Sequence, residues 1–157
     1  IIIHIATHAF YLSESNEALH PLMKSGLILA GANSAWSSNV AITGSDNGIL
    51  TSYEIAQLNL SSTELVILSA CNSGIGDIKG SEGIYGLQRA FKIAGVKYII
   101  MSLWPVPDKA TNELMTLFYE FWMEDKHNIR TALTKAQKQI RIKYPDPYYW
   151  AGFELVE

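Results

Sequence analysis

The sequence predicts an α/β domain built on a mostly parallel sheet with helices on both faces. Three observations predict it. Residues 1–7, 65–70 and 96–103 are nearly continuous apolar runs rich in β-branched residues, the pattern of strands buried on both sides. Ile84, Leu87, Phe91 and Ala94 recur at helical spacing, as do Leu114, Leu117, Phe118, Phe121 and Trp122, which gives each helix one apolar face. Segments rich in turn residues separate the two patterns, and such alternation packs as helices on a parallel sheet. At 157 residues and 48% hydrophobic composition, the chain is long enough for one domain with a sizeable core.

The elements follow in order. After the first strand, residues 13–25 are polar, and Leu27, Ile28, Leu29 and Ala30 read as a short strand. "GANSAWSSN" and "TGSDNG" are dense in turn residues and predict a long exposed connection. "ILTSYEIAQLNL" predicts a strand-turn and a short helix, and residues 65–70 a buried strand ended by Cys71. A loop with glycines at 74, 76, 80 and 83 leads into a helix that Gly95 stops. Residues 96–103 form the third strand, and Pro107-Asp108 opens the next helix. Ala132, Leu133, Ala136 and Ile140 mark another. "YYWAGFELV" closes the chain as a strand with Trp150, Gly152, Glu154 and Val156 on one face.

Composition excludes several classes of function. Net charge is −3 with lysines and arginines scattered, so no footprint for nucleic acid is present. One cysteine allows no intramolecular disulfide and suits a reducing, cytoplasmic setting. No apolar stretch reaches the ~18 residues a membrane span needs. The four histidines and one cysteine show no metal-ligand spacing, and no cofactor is expected. The chain begins "IIIHIATHAF", already inside a strand, as a piece of a longer protein would.

In parallel sheets chemistry gathers at the carboxyl ends of strands, and His8 and Cys71 stand at two such ends. A lone cysteine in a cytoplasmic protein is most often an inert small hydrophobe. It becomes a nucleophile when a base raises its thiolate fraction, and His8 is placed to be that base. His4, inside the strand run, reads as a hydrogen-bonded core residue, and His20 and His127 as surface residues. "GIGDIKG" comes close to the dinucleotide fingerprint, but its third glycine, Gly80, arrives one residue late. It also fails the phosphate-loop pattern, because Lys79 precedes Gly80. A plain loop is the better reading.

Taken together, "HIATHAF", "EIAQLNLSSTELVILSACNSGIGDIKGSEGIYGLQRAFKIAGVKYIIMSLWPVPDKAT" and "PYYWAGFELV" closely resemble the CHAT domain. That family comprises caspase-like, separase-related cysteine peptidases usually attached to tetratricopeptide repeats. The resemblance runs from residue 1 to about residue 156. It implies a caspase-like α/β/α sandwich with a Cys/His dyad, in which His8 matches the family histidine and Cys71 the family cysteine. It also implies an oxyanion hole made by the backbone N–H groups of Ala9 and Cys71. Most members have glycine where this chain has Ala9, which keeps the N–H but resists positive φ. A complete domain has strands ahead of the histidine strand, so residues 1–157 read as the C-terminal, catalytic portion, without those first strands.

In separase-like relatives an acidic residue after the corresponding strand reads a basic side chain before the scissile bond. Here the segment is "SLWPVPDKAT", with Pro107 at a position where many members are acidic, leaving Asp108 as the candidate. The competing reading makes Asp108 only the cap of the following helix. The implied partners are a protein or peptide substrate and upstream tetratricopeptide repeats, with neither nucleic acid nor membrane. An alternative function, from a different class, is a signalling or scaffold module with latent or no proteolysis.

Overall fold

The computed structural model describes residues 1–12, 20–32, 47–69, 81–124, 126 and 128–157. Its strands and helices are β1 (Ile2–Ile5), β2 (His8–Tyr11), β3 (Ser25–Ile28), β4 (Ile49–Thr51), α1 (Ser52–Gln57), β5 (Leu65–Leu68), α2 (Ser81–Ile93), β6 (Tyr98–Ser102), α3 (Asp108–Tyr119), α4 (Ile129–Lys143) and β7 (Phe153–Val156). The larger sheet runs β1-β5-β6-β7. Strands β1, β5 and β6 are mutually parallel, and β7 closes the sheet antiparallel to β6. This is the mostly parallel sheet that the apolar runs predict.

All four residues of β5 are buried, and they divide between the two faces. Leu65 and Ile67 join Ile100 of β6 in a core completed by Leu114 and Phe118 of α3 and Leu133, Ala136 and Ile140 of α4. Val66 and Leu68 join Ile99 and Met101 in a second core with Ile55 of α1 and Leu87 and Phe91 of α2. Helices therefore cover both faces, and the architecture is an α/β/α sandwich. Among the described residues no helix is long and apolar enough to cross a membrane.

A second sheet is a finding that the periodicity does not predict. Strands β2, β3 and β4 form a three-stranded antiparallel unit around Phe10, Ala32 and Ile49. Its strands are three or four residues long, too short for alternation to show. The strand expected at residues 27–30 lies two residues earlier, because Ser25 is buried against Ser52 of α1, Oγ to Oγ at 2.8 Å. Gly83, expected in a loop, lies within α2. A Cβ there would stand 2.8 Å from Cβ of Tyr11, so the glycine permits close packing against β2. The closing strand is shorter than expected. Pro147–Tyr149 instead form a 3-10 turn, started by the proline and by Asp146, which accepts from the Tyr148 N–H at 2.9 Å. The "TGSDNG" turn is described only from Asn47 onward, and residues 33–46 lie outside the described residues, as do glycines 74, 76 and 80.

Gly95 stops α2 as its position implies. The Gly95 N–H donates to the Lys92 carbonyl and the Val96 N–H to the Phe91 carbonyl, both at 3.1 Å, a Schellman pair with Val96 and Phe91 in apolar contact. Gly95 has φ +99°, and a Cβ there would lie 3.0 Å from the Ser61 backbone. Gly95→Ala is expected to cost about 1–2 kcal/mol from the left-handed conformation, more if Ser61 cannot give way. Urea unfolding measures it, with Ile93→Ala at the exposed end of the same helix expected to change little.

Candidate active site

Because β1, β5 and β6 are parallel, their carboxyl ends lie on one edge of the sheet, aligned by the Ile5–Leu68 and Leu68–Met101 pairs. The Ser69 N–H continues the pairing one step, donating to the Ile5 carbonyl at 2.9 Å. A cavity of about 450 Å3 opens at this edge. Its walls include Thr7 and His8 from the segment after β1, Ser69 after β5, Ser102 at the end of β6, and Asp108, Thr111 and Met115 of α3, with Phe153 of β7. Val106, Met115 and Phe153 give it a buried apolar floor.

His8 lies past the strand that was expected to carry it. β1 ends at Ile5, and His8 is the first residue of β2, paired with Ile28 in the small sheet. The β-branched Thr7 prolongs the apolar run in the sequence, but its hydroxyl donates to the Ile28 carbonyl, so the chain changes sheets there. The His8 backbone is thus held by antiparallel pairing, and the residue is exposed and on the cavity wall. Ala9 follows it within β2, half-buried. Among the described residues Lys126 is the one non-glycine residue with positive φ, so the Ala9 backbone is in a conformation alanine adopts freely.

Asp108 is the first residue of α3 and lines the cavity. It is not the helix cap. Pro107 holds that position, and no side-chain capping bond is made. A carboxylate in the first turn still gains from the unpaired N–H groups there. Asp108 is the one acidic side chain on the cavity wall among the described residues. Cys71 lies outside the described residues, two positions beyond Ser69 in the sequence, and the "GIGDIKG" loop and His127 lie outside them as well.

Three contributors are not singled out by sequence reasoning. Ser69 Oγ and Ser102 Oγ are buried and have no hydrogen-bond partner among the described residues, although both line the cavity. The signal available was a serine ending each of two otherwise apolar strands. Tyr119 is the third, its hydroxyl 3.1 Å from Nδ1 of His4. His4 is hydrogen-bonded as expected but is not a core residue. It is exposed, because among the described residues β1 is an edge strand paired only with β5. His20 is exposed as expected and caps a short 3-10 turn at Pro21–Lys24.

Partial burial lowers the His4 pKa below the ordinary imidazole value and raises that of Tyr119 above the ordinary phenol value. The folded state thus favours neutral His4. Its contribution to stability is complete above the imidazole pKa of the unfolded chain and is lost as pH falls through the lower folded value. His4→Asn is expected to flatten the loss of stability on acidification below about pH 6.5, as read from melting temperature against pH. An unchanged pH slope would show that His4 is not the group responsible.

Comparison with known proteins agrees with this geometry. The family model described as CHAT domain matches residues 1–157. The chain is 31% identical over 110 residues to tetratricopeptide repeat protein 28 of Mus musculus and 30% identical over 110 residues to that of Homo sapiens. Each alignment covers 69% of this chain and 4% of the relative, so the chain spans a small part of the curated relatives it matches. On a full-length family match and an α/β/α fold with a strand-end cavity, the chain belongs to the CHAT domain family.

Proposed function

We propose that residues 1–157 are the catalytic portion of a cysteine endopeptidase, with Cys71 as nucleophile and His8 as general acid and base. The observation that carries this reading is the strand-end cavity. His8 lines it, and β5, the strand that leads to Cys71, ends in it at Ser69. In the reaction the Cys71 sulfur bonds to the scissile carbonyl carbon, and the backbone N–H groups of Ala9 and Cys71 hold the oxyanion. His8 takes the Cys71 thiol proton as the C–S bond forms and gives it to the leaving amine as the C–N bond breaks. It then draws a proton from the water whose oxygen displaces the sulfur from the acyl carbon and returns that proton to Cys71. The relatives' name supports tetratricopeptide repeats elsewhere in the full-length protein, where they would present substrates or restrain the site.

Asp108 gives the cavity its specificity. One carboxylate over an apolar floor suits a long side chain with a cationic end, and the Ser69 and Ser102 hydroxyls offer acceptors that water or substrate can satisfy.

Two experiments test the proposal. With the full-length protein, Cys71→Ala and His8→Ala are each expected to abolish peptide cleavage while leaving the fold intact. The double variant should be no worse than either, since residues acting as a unit are not additive. Retained cleavage in Cys71→Ala would remove Cys71 as the nucleophile, and no cleavage by the wild-type full-length protein would favour a scaffold.

The second is Asp108→Asn. Its stability cost should stay within about 0.3–1 kcal/mol, the worth of a carboxylate in a first helical turn. Its kcat/KM on peptides with Lys or Arg before the scissile bond should fall tenfold or more, with neutral peptides much less affected. Equal losses on basic and neutral peptides would remove the specificity role.

A further inference from the structure

A second pocket, of about 680 Å3, lies between the small sheet and α2. Its polar walls are Tyr11 of β2, Lys24 just before β3, and Tyr85, Gln88 and Arg89 of α2. Each of these side chains can donate a hydrogen bond, and none carries a negative charge. Tyr85 and Arg89 are four residues apart on a helix and so share a face. Lys24 is half-buried and Arg89 exposed. Neither takes part in an ion pair among the described residues, where the pairs are Arg130–Glu157 and Lys143–Glu113.

The pocket stands on fixed backbone. The Leu12 N–H donates to the Lys24 carbonyl at 2.7 Å, and Gly83 lets α2 approach the Tyr11 side chain closely. The chain as a whole is acidic, at −3, so attraction of an anion here is local and not general. Two cations are too few for a membrane surface, which takes clusters of about four to eight, or for a tract of nucleic-acid phosphates. Two cations beside Pro21, Leu22 and the exposed Tyr85 ring instead match an extended chain carrying a single negative group.

We propose that this pocket binds an acidic segment of a partner polypeptide, with a carboxylate or phosphate held between Lys24 and Arg89 and neighbouring residues laid against Leu22 and Tyr85. The site is separate from the strand-end cavity and does not depend on proteolysis.

Fluorescence anisotropy with the full chain tests it, using a labelled peptide rich in glutamate and phosphoserine and its glutamine and serine counterpart. The acidic peptide should bind in preference, more weakly as salt rises. Lys24→Gln and Arg89→Gln should each weaken binding about tenfold, or ~1.4 kcal/mol, at unchanged melting temperature, and Lys24→Arg should retain it. Displacement of the acidic peptide by inorganic phosphate would support a shared anion position. Equal binding of the two peptides, or wild-type affinity in both glutamine variants, would overturn the proposal. So would binding of phosphatidylserine vesicles in preference to the acidic peptide.

Discussion

The fold depends on β5 being buried on both faces between two parallel neighbours. Leu65 and Ile67 look one way and Val66 and Leu68 the other, so neither face can be left to solvent and helices must cover both. Parallel pairing to β1 and β6 then has a second effect: it brings three carboxyl ends to the same edge. The cavity is therefore a product of the same pairing that builds the core. Gln137 of α4 reinforces that edge by donating to the carbonyls of Trp150 and Phe153, at 3.2 and 2.8 Å. This fixes the start of β7 beneath the cavity floor.

The second constraint is the crossing at Ala6 and Thr7, where the chain leaves one sheet and enters another. Thr7 binds the Ile28 carbonyl through its hydroxyl, and His8 pairs with the same residue. Two ties on one residue of β3 hold the start of β2 against the end of β1. β3 in turn is held by α1 and α2, through the buried Ser25–Ser52 contact and the close approach of Gly86 to Ser25. The orientation of His8 is thus decided by a small sheet with its own core, not by the strand that precedes it in sequence.

That arrangement explains what could be read in advance. The buried strands and the helices were legible because they repeat, with apolar runs at β5 and β6 and helical spacing along α2, α3 and α4. Gly95 was legible because a helix stop has local chemistry. The small sheet was not, since strands of three or four residues complete at most two periods of alternation. His4 was misplaced because a β-strand's sequence does not reveal whether it lies at the centre or the edge of its sheet. The competing reading of Asp108 as a helix cap fits locally, since aspartate follows proline there, yet the helix begins one residue earlier than a cap at Asp108 would require. Ser69 and Ser102 passed unnoticed because a serine at a strand end is unremarkable until two of them face one cavity.

Those two hydroxyls and Asp108 give the cavity its chemical character. A buried hydroxyl without a partner, as both are among the described residues, costs about 1–3 kcal/mol of desolvation, and alanine at either position would avoid it. Asp108 is exposed, so water solvates its carboxylate, and what it adds to the cavity wall is a negative charge. The two serines thus place on the cavity wall hydroxyls that core packing does not demand. In the proposed peptidase these hydroxyls would favour a ligand with matching donors over one without them.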